Sequence, residues 1–145
     1  MSAAAMFELT SLFAGIGWIV LLFVSPYWAG FDKFLIGIII ALLACVYTWL
    51  NFSNFSPDIL KNFSSLEGVM KLFQIPELVV AAWVHIMAFD LFVAVWIKKN
   101  SLELGIGHGW IIVSLIFSCL FGPLGYLIYL LTRWVKTKNY FSENF

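Results

Sequence analysis

Charge is scarce in this chain. Only 11% of its 145 residues are charged while 63% are hydrophobic, and the mean hydropathy is +0.98. A water-soluble domain carries about twice that charged fraction, so composition excludes one. The net charge is zero and the Lys and Arg residues are scattered, so no basic stripe follows a phosphate backbone and no nucleic-acid partner is expected. Cysteine is scarce too. Cys45 and Cys119 both fall in apolar segments and read as small buried residues, not as a disulfide or a thiolate metal site. The start of the chain, Met1 to Glu8, has no positive n-region, so the first apolar run reads as retained, not as a cleaved signal. Also missing are an internal repeat, a glycine loop for phosphate, and any Ser/His/Asp or His-Glu-x-x-His arrangement.

What is present in quantity is uncharged length. Between Glu8 and Asp32 lie 23 residues without a charge, between Lys33 and Asp58 there are 24, and between Glu103 and Arg133 there are 29. Each exceeds the roughly 20 residues of a spanning helix. A further run from Glu77 to Ile97 is interrupted only by His85 and Asp90 after its first residue. The expected fold is therefore all-α, a single integral membrane domain over residues 1–145. Its four transmembrane helices fall near residues 8–28, 33–50, 77–97 and 109–134.

Between the second and third spans, residues 51–76 are mixed in polarity. Ile59, Leu60, Phe63, Leu66, Met70 and Phe73 recur near helical spacing, which predicts short amphipathic helices at the interface. Ser56-Pro57 supplies a cap and a first-turn proline, and Ser64-Ser65-Leu66-Glu67 fits a capping box. The three Asn-Phe-Ser triplets at 51, 54 and 62 are formal glycosylation sequons, explained equally by phenylalanines that anchor an interface. Lys98-Lys99-Asn100 is read as the end of the third helix. Pro123, within Phe121-Gly122-Pro123-Leu124-Gly125, is expected to bend the fourth.

With four spans, both termini and the 51–76 segment share one side. Lys61, Lys71, Arg133, Lys136 and Lys138 there outnumber Lys33, Lys98 and Lys99 opposite, which favours termini in the cytoplasm or stroma. Trp28, Trp49, Trp96, Trp110 and Trp134 fall near span ends, as an aromatic belt requires.

His85 and Asp90 are the candidates for chemistry. An ionised group at membrane depth costs roughly 2.5 to 3.5 kcal/mol on insertion scales, so such residues usually turn inward and mark a site. Five residues apart, they lie about 140° apart around a helix. Each needs its own interhelical partner, or the two face opposite walls of one pocket. Packing is the competing reading: a neutral imidazole hydrogen-bonded to another helix and an acid serving helix contacts. Glu77 reads as a helix-dipole partner, and His108, in a glycine-rich turn, as a solvated ring. Glu77, His85, Asp90 and His108 have the right chemistry for a metal but fit no known ligand spacing, so no metal is expected.

The series Phe63-Ser64, Gly68-Val69, Leu72-Phe73, Ala82-Trp83-Val84-His85, Asp90-Leu91-Phe92 and Phe121-Gly122-Pro123-Leu124-Gly125 resembles the abscisic-acid-deficient-four-like family, whose plant members are associated with neoxanthin synthesis. The likeness runs from about Leu9 to Arg133, and its most specific piece is Trp-x-His-x4-Asp-Leu-Phe. The resemblance implies a small polytopic protein that converts a xanthophyll epoxide, violaxanthin, to the allene neoxanthin. The apparent lack of a transit peptide suggests a bacterial member in the inner membrane. That conversion removes a vinylic proton and protonates the opening epoxide oxygen, so a paired base and acid suffice and no cofactor is expected. His85 and Asp90 are the expected catalytic pair, with the assignment reversible, and Glu77, Trp83, Phe89, Gly122 and Pro123 the expected substrate contacts. The alternative is a protein that binds a carotenoid or lipid, or assists assembly of a membrane complex, without chemistry. A transporter is a third alternative, for which four spans per chain would need a homo-oligomer to enclose a path.

Overall fold

Three of the four apolar segments become long helices, and the longest uncharged run, between Glu103 and Arg133, does not. In the computed structural model, which describes residues 1–138 and Tyr140, all regular elements are helical and no strand occurs among the described residues. The expected domain runs on to residue 145, and residues 139 and 141–145 lie outside this description. The first long helix comprises α1 (Ala3–Ile19) and a π-helical turn over Val20–Val24. The second comprises α2 (Phe31–Phe34), a π-helical stretch over Leu35–Ile40, and α3 (Ala41–Ser53). Two short helices follow, α4 (Pro57–Asn62) and α5 (Leu66–Leu72). Then come α6 (Pro76–Glu103), α7 (His108–Phe121) and α8 (Pro123–Thr137).

Ala3–Val24, Phe31–Ser53 and Pro76–Glu103 are each long and apolar enough to cross a membrane. The cap of α5 is Ser65, whose hydroxyl accepts from the Gly68 amide at 3.1 Å. Ser64, the expected start of a capping box, donates to the Lys61 carbonyl instead. Lys98-Lys99-Asn100 does not end α6, which continues to Glu103 with Lys98, Asn100 and Ser101 buried. Helix α6 is the axis of the molecule. Its residues Val84, Leu91, Ala94 and Ile97 are fully buried, and it packs against α1, α3, α7 and α8.

The expected fourth span is where fold and sequence reading part. Instead of one bent helix over residues 109–134, the chain turns back at Gly122, and α8 runs antiparallel to α7. A Cβ on Gly125 would collide with the backbone of Ser118 and Ser114, residues that a single bent helix would place about 10 and 16 Å away. Likewise the Lys136 ammonium sits 3.2 Å from the ring centre of Trp110, 26 residues earlier. The turn is possible because Gly122 takes φ +36° and ψ −91°, a left-handed conformation that side chains with a Cβ avoid. Pro123 then starts α8 at the position where a missing N–H is harmless. At 14 and 15 residues, α7 and α8 reach about 21 Å, short of the roughly 30 Å hydrocarbon layer.

This hairpin corrects the expected placement of the termini. The end of α6, the start of α7 and the end of α8 lie together: Tyr129 donates to the Asn100 side-chain oxygen at 2.6 Å and Arg133 to the same oxygen at 3.3 Å. Lys99 meets Asp32 at 2.7 Å, so the start of α2 is at this end too. The N-terminus and α4–α5 are therefore at one end of the bundle and the tail of α8 is at the other. A single crossing over residues 109–134 would have returned that tail to the N-terminal end.

Helix α8 is inside out relative to a soluble amphipathic helix. Its buried stripe is Gly125, Tyr129 and Arg133, while Leu124, Leu127, Leu131, Trp134 and Val135 face outward. That arrangement suits lipid outside and polar contacts within. Trp96, expected in the belt, is instead half-buried against Tyr126 and Tyr129, with ring centres 5.7 and 5.8 Å away.

Candidate functional site

Helix α6 carries its two deep ionisable residues on different faces, as their five-residue spacing requires. His85 faces α3. Its ring lies 5.3 Å from that of Tyr47 and 4.7 Å from that of Phe89, and it is exposed to the outside of the bundle. Two cavities meet at His85 and Tyr47. One, of about 260 Å³, is apolar and lined by Ile40, Ala44, Ala88, Phe89 and Phe92. The other, of about 200 Å³, runs toward the short helices and is lined by Asn51, Ile59, Phe63, Leu72, Phe73 and Leu78 among others. Together they form a groove between α3 and α6. From Leu78 to Phe92 it follows α6 for about 21 Å, some two-thirds of a hydrocarbon layer.

Asp90 sits at the midpoint of α6, half-buried, on the side of the hairpin. A Cβ on Gly122 would collide with its carboxylate, so the acid rests on the tip of the α7–α8 turn, at the positive end of α8. Neither groove cavity is lined by Asp90.

The expected substrate contacts divide accordingly. Phe89 joins His85 in the groove, and Gly122 and Pro123 are at the hairpin tip with Asp90. Trp83 faces α1, where its indole N–H donates to the Ser11 hydroxyl at 3.1 Å and its ring lies 5.6 Å from that of Phe7. Glu77 lies in the first turn of α6, half-buried, and lines neither groove cavity. The structure thus brings His85 and Phe89 together, and Asp90 and Gly122 together, but not His85 and Asp90. Among the described residues no group of three His, Cys, Asp or Glu side chains could hold a metal.

Several further residues shape the site. Tyr47 and Asn51 line the groove from α3; in the sequence Tyr47 is an ordinary member of an apolar span, and Asn51 opens the mixed-polarity segment as part of an Asn-Phe-Ser triplet. His108 is not a solvated ring. Its Nε2 lies 3.0 Å from the Leu22 carbonyl and its Nδ1 3.1 Å from the Lys98 ammonium. A carbonyl only accepts, so Nε2 carries the hydrogen and Nδ1 accepts from Lys98. The signal was available at Pro26, which has no N–H for the carbonyl four residues earlier and so leaves Leu22 needing a donor. Arg133, counted from the sequence among the cations at a span end, is 3% exposed and also donates to the Tyr140 carbonyl.

Fold and groove define a class: a helical membrane protein whose lateral cleft, lined by aromatic rings around one histidine, opens to the outside of the bundle. The profile for ABA DEFICIENT 4-like proteins matches residues 5–129, and the chain belongs to that family. Among curated proteins it is similar to Protein ABA DEFICIENT 4, chloroplastic, of Arabidopsis thaliana, with 28% identity over 106 residues, or 68% of this chain and 47% of that protein. The chain thus spans about half the length of that relative. No solved structure matches it.

Proposed function

We propose that this protein takes an elongated apolar ligand from the lipid phase, a xanthophyll by the family's association, into the α3–α6 groove and isomerises it at His85 without a cofactor. The observation that carries the proposal is the setting of His85: one ionisable ring between two aromatic rings, where the apolar and the partly polar halves of a groove meet. The apolar half suits a polyene and the half near Asn51 suits an oxygenated end group. Helices α4 and α5 lie at the membrane interface and close that end.

The chemistry needs two proton carriers in reach of one ligand, and Tyr47 is the second group that the groove offers. The His85 imidazole takes the vinylic proton, and the freed electron pair becomes the new double bond of the allene as the adjacent epoxide C–O bond breaks. The oxygen takes the Tyr47 phenolic proton. The imidazolium then returns a proton to the phenolate, leaving both groups as they began and nothing oxidised or reduced. Phe89 packs against the polyene. Asp90, the acid anticipated from the sequence, serves the hairpin tip. A second reading, a carotenoid- or lipid-binding protein without chemistry, draws support from the separation of the two deep ionisable groups onto different faces of α6.

Expression in a host that accumulates an epoxidised xanthophyll separates the two. The catalytic reading expects an allenic product that falls at least tenfold in His85→Gln and in Tyr47→Phe, while pigment still copurifies with both variants. Unchanged pigment copurifying with the wild type, and no product, leaves the binder. Full product from both variants removes His85 and Tyr47 from the chemistry.

A further inference from the structure

The hairpin redistributes charge between the two ends of the bundle. At the end formed by the α2 start, the α6–α7 connection and the α8 tail stand Lys33, Lys98, Lys99, Arg133, Lys136 and Lys138, against Asp32 and Glu103 among the described residues. At the other end stand Lys61 and Lys71 against Glu8, Asp58, Glu67 and Glu77. Both cations of that end are already matched, Lys61 by Asp58 at 3.7 Å and Lys71 by Glu67 at 3.4 Å. At the basic end, Asp32 engages Lys99, while Lys33, Lys136 and Lys138 are exposed. Three tryptophans ring the same end, Trp28, Trp110 and Trp134, at 40%, 61% and 52% exposure. Tryptophans at headgroup level flanked by lysines mark a lipid interface.

We infer that this basic end is a contact surface for anionic lipid headgroups, and that it faces the cytoplasmic or stromal leaflet. The N-terminus and the α4–α5 segment then face the opposite compartment. Lysines and arginines close to span ends set orientation, and acidic residues contribute little. A surplus of cations at a leaflet rich in anionic lipid is the arrangement that such a field holds. The orientation is the reverse of the one that four simple crossings imply, because the short hairpin returns Arg133, Lys136 and Lys138 to the end where Lys33, Lys98 and Lys99 already stand. The inference stands on the fold and the charges alone, whatever the groove holds.

The test is side-specific labelling of full-length protein in intact cells with a membrane-impermeant maleimide, in a Cys45→Ala/Cys119→Ala background. Ser64→Cys, between α4 and α5, is expected to label in intact cells. Leu104→Cys, between α6 and α7, is expected to label only after permeabilisation. The opposite pattern, or equal labelling of both sites in intact cells, overturns the orientation. Changing Lys33, Lys136 and Lys138 to Glu is expected to shift Leu104→Cys labelling toward the intact-cell condition, and an unmoved pattern overturns the role given to these charges. For the lipid contact, purified protein in zwitterionic bicelles is expected to melt at a higher temperature when phosphatidylglycerol is added at low salt and to lose the gain in 1 M salt. No difference between lipids overturns the headgroup assignment.

Discussion

Gly125→Ala tests the α7–α8 hairpin most directly. The new methyl would fall on the Ser118 amide nitrogen and the Ser114 carbonyl oxygen, and backbone atoms within a helix cannot swing aside as a flexible side chain can. The two helices must separate, and a radial gap of even 0.5–1 Å forfeits about a quarter to a half of each contact's dispersion energy. Overpacking of this kind costs about 1–3 kcal/mol, offset by up to about 1 kcal/mol because Ala favours helix over Gly. The expected net loss is about 1–2 kcal/mol. Gly15→Ala is the matched control: Gly15 lies in α1, and a Cβ there meets nothing within 4 Å. Only the propensity gain operates, so the variant should gain up to about 1 kcal/mol. Reversible unfolding in a mild detergent reads both, and short-reagent cross-linking of a Trp110→Cys/Lys136→Cys pair reads the geometry itself. In one bent helix those residues would be about 39 Å apart. Equal stabilisation by the two alanines, with no cross-link, would refute the hairpin.

Removing the Asn100 side chain tests the polar cluster where α6 meets α8. Asn100→Ala leaves the Tyr129 hydroxyl and a guanidinium N–H of Arg133 without their shared acceptor, an expected loss of about 2–4 kcal/mol in the same unfolding assay, since buried unpaired groups bear the full desolvation penalty. Asn100→Asp, which keeps the acceptor, should retain more stability than Ala. The converse holds at Ser118, whose buried hydroxyl has no hydrogen-bond partner. Ser118→Ala removes an unsatisfied group at nearly constant volume, and melting should show no loss or a gain of up to about 1 kcal/mol.

What the sequence disclosed and what it withheld follow from range. Runs such as Leu9–Phe31 and Phe34–Pro57 report their own burial in lipid, because a spanning helix satisfies its backbone internally and needs only length and apolarity. The five-residue spacing of His85 and Asp90 likewise fixed their divergence before any neighbour was known. The fourth apolar run misled because its length alone cannot distinguish one crossing from two half-crossings. The information lay in Ser114, Ser118, Gly122 and Gly125, small residues whose meaning depends on which backbone comes close. Tyr47 was illegible for a similar reason: within an apolar span a tyrosine is ordinary until the histidine opposite it is placed. His108 was within reach, since a proline leaves the carbonyl four residues earlier without its helical donor, and Pro26 stands four residues after Leu22.

Asp90 and Gly122 can be separated from the groove by a double-mutant cycle. Gly122→Ala carries two costs. One is the positive φ, about 1–2 kcal/mol for a residue with a Cβ, and the other is displacement of the Asp90 carboxylate, which occupies the space of the new methyl. Asp90→Ala empties that space, so the double variant should lack the second cost and be more stable than the two single losses predict, by about 1 kcal/mol or more. Strict additivity would mean that Asp90 does not rest on the turn. The same variants also bear on the chemistry. If Asp90→Ala keeps pigment turnover while the coupling is measured, then the deep acid holds the hairpin tip and the reaction belongs to the other face of α6. If turnover collapses in Asp90→Ala although the fold persists, then a ligand long enough to reach around α6, or a second copy of the chain, must bring the two faces to one substrate.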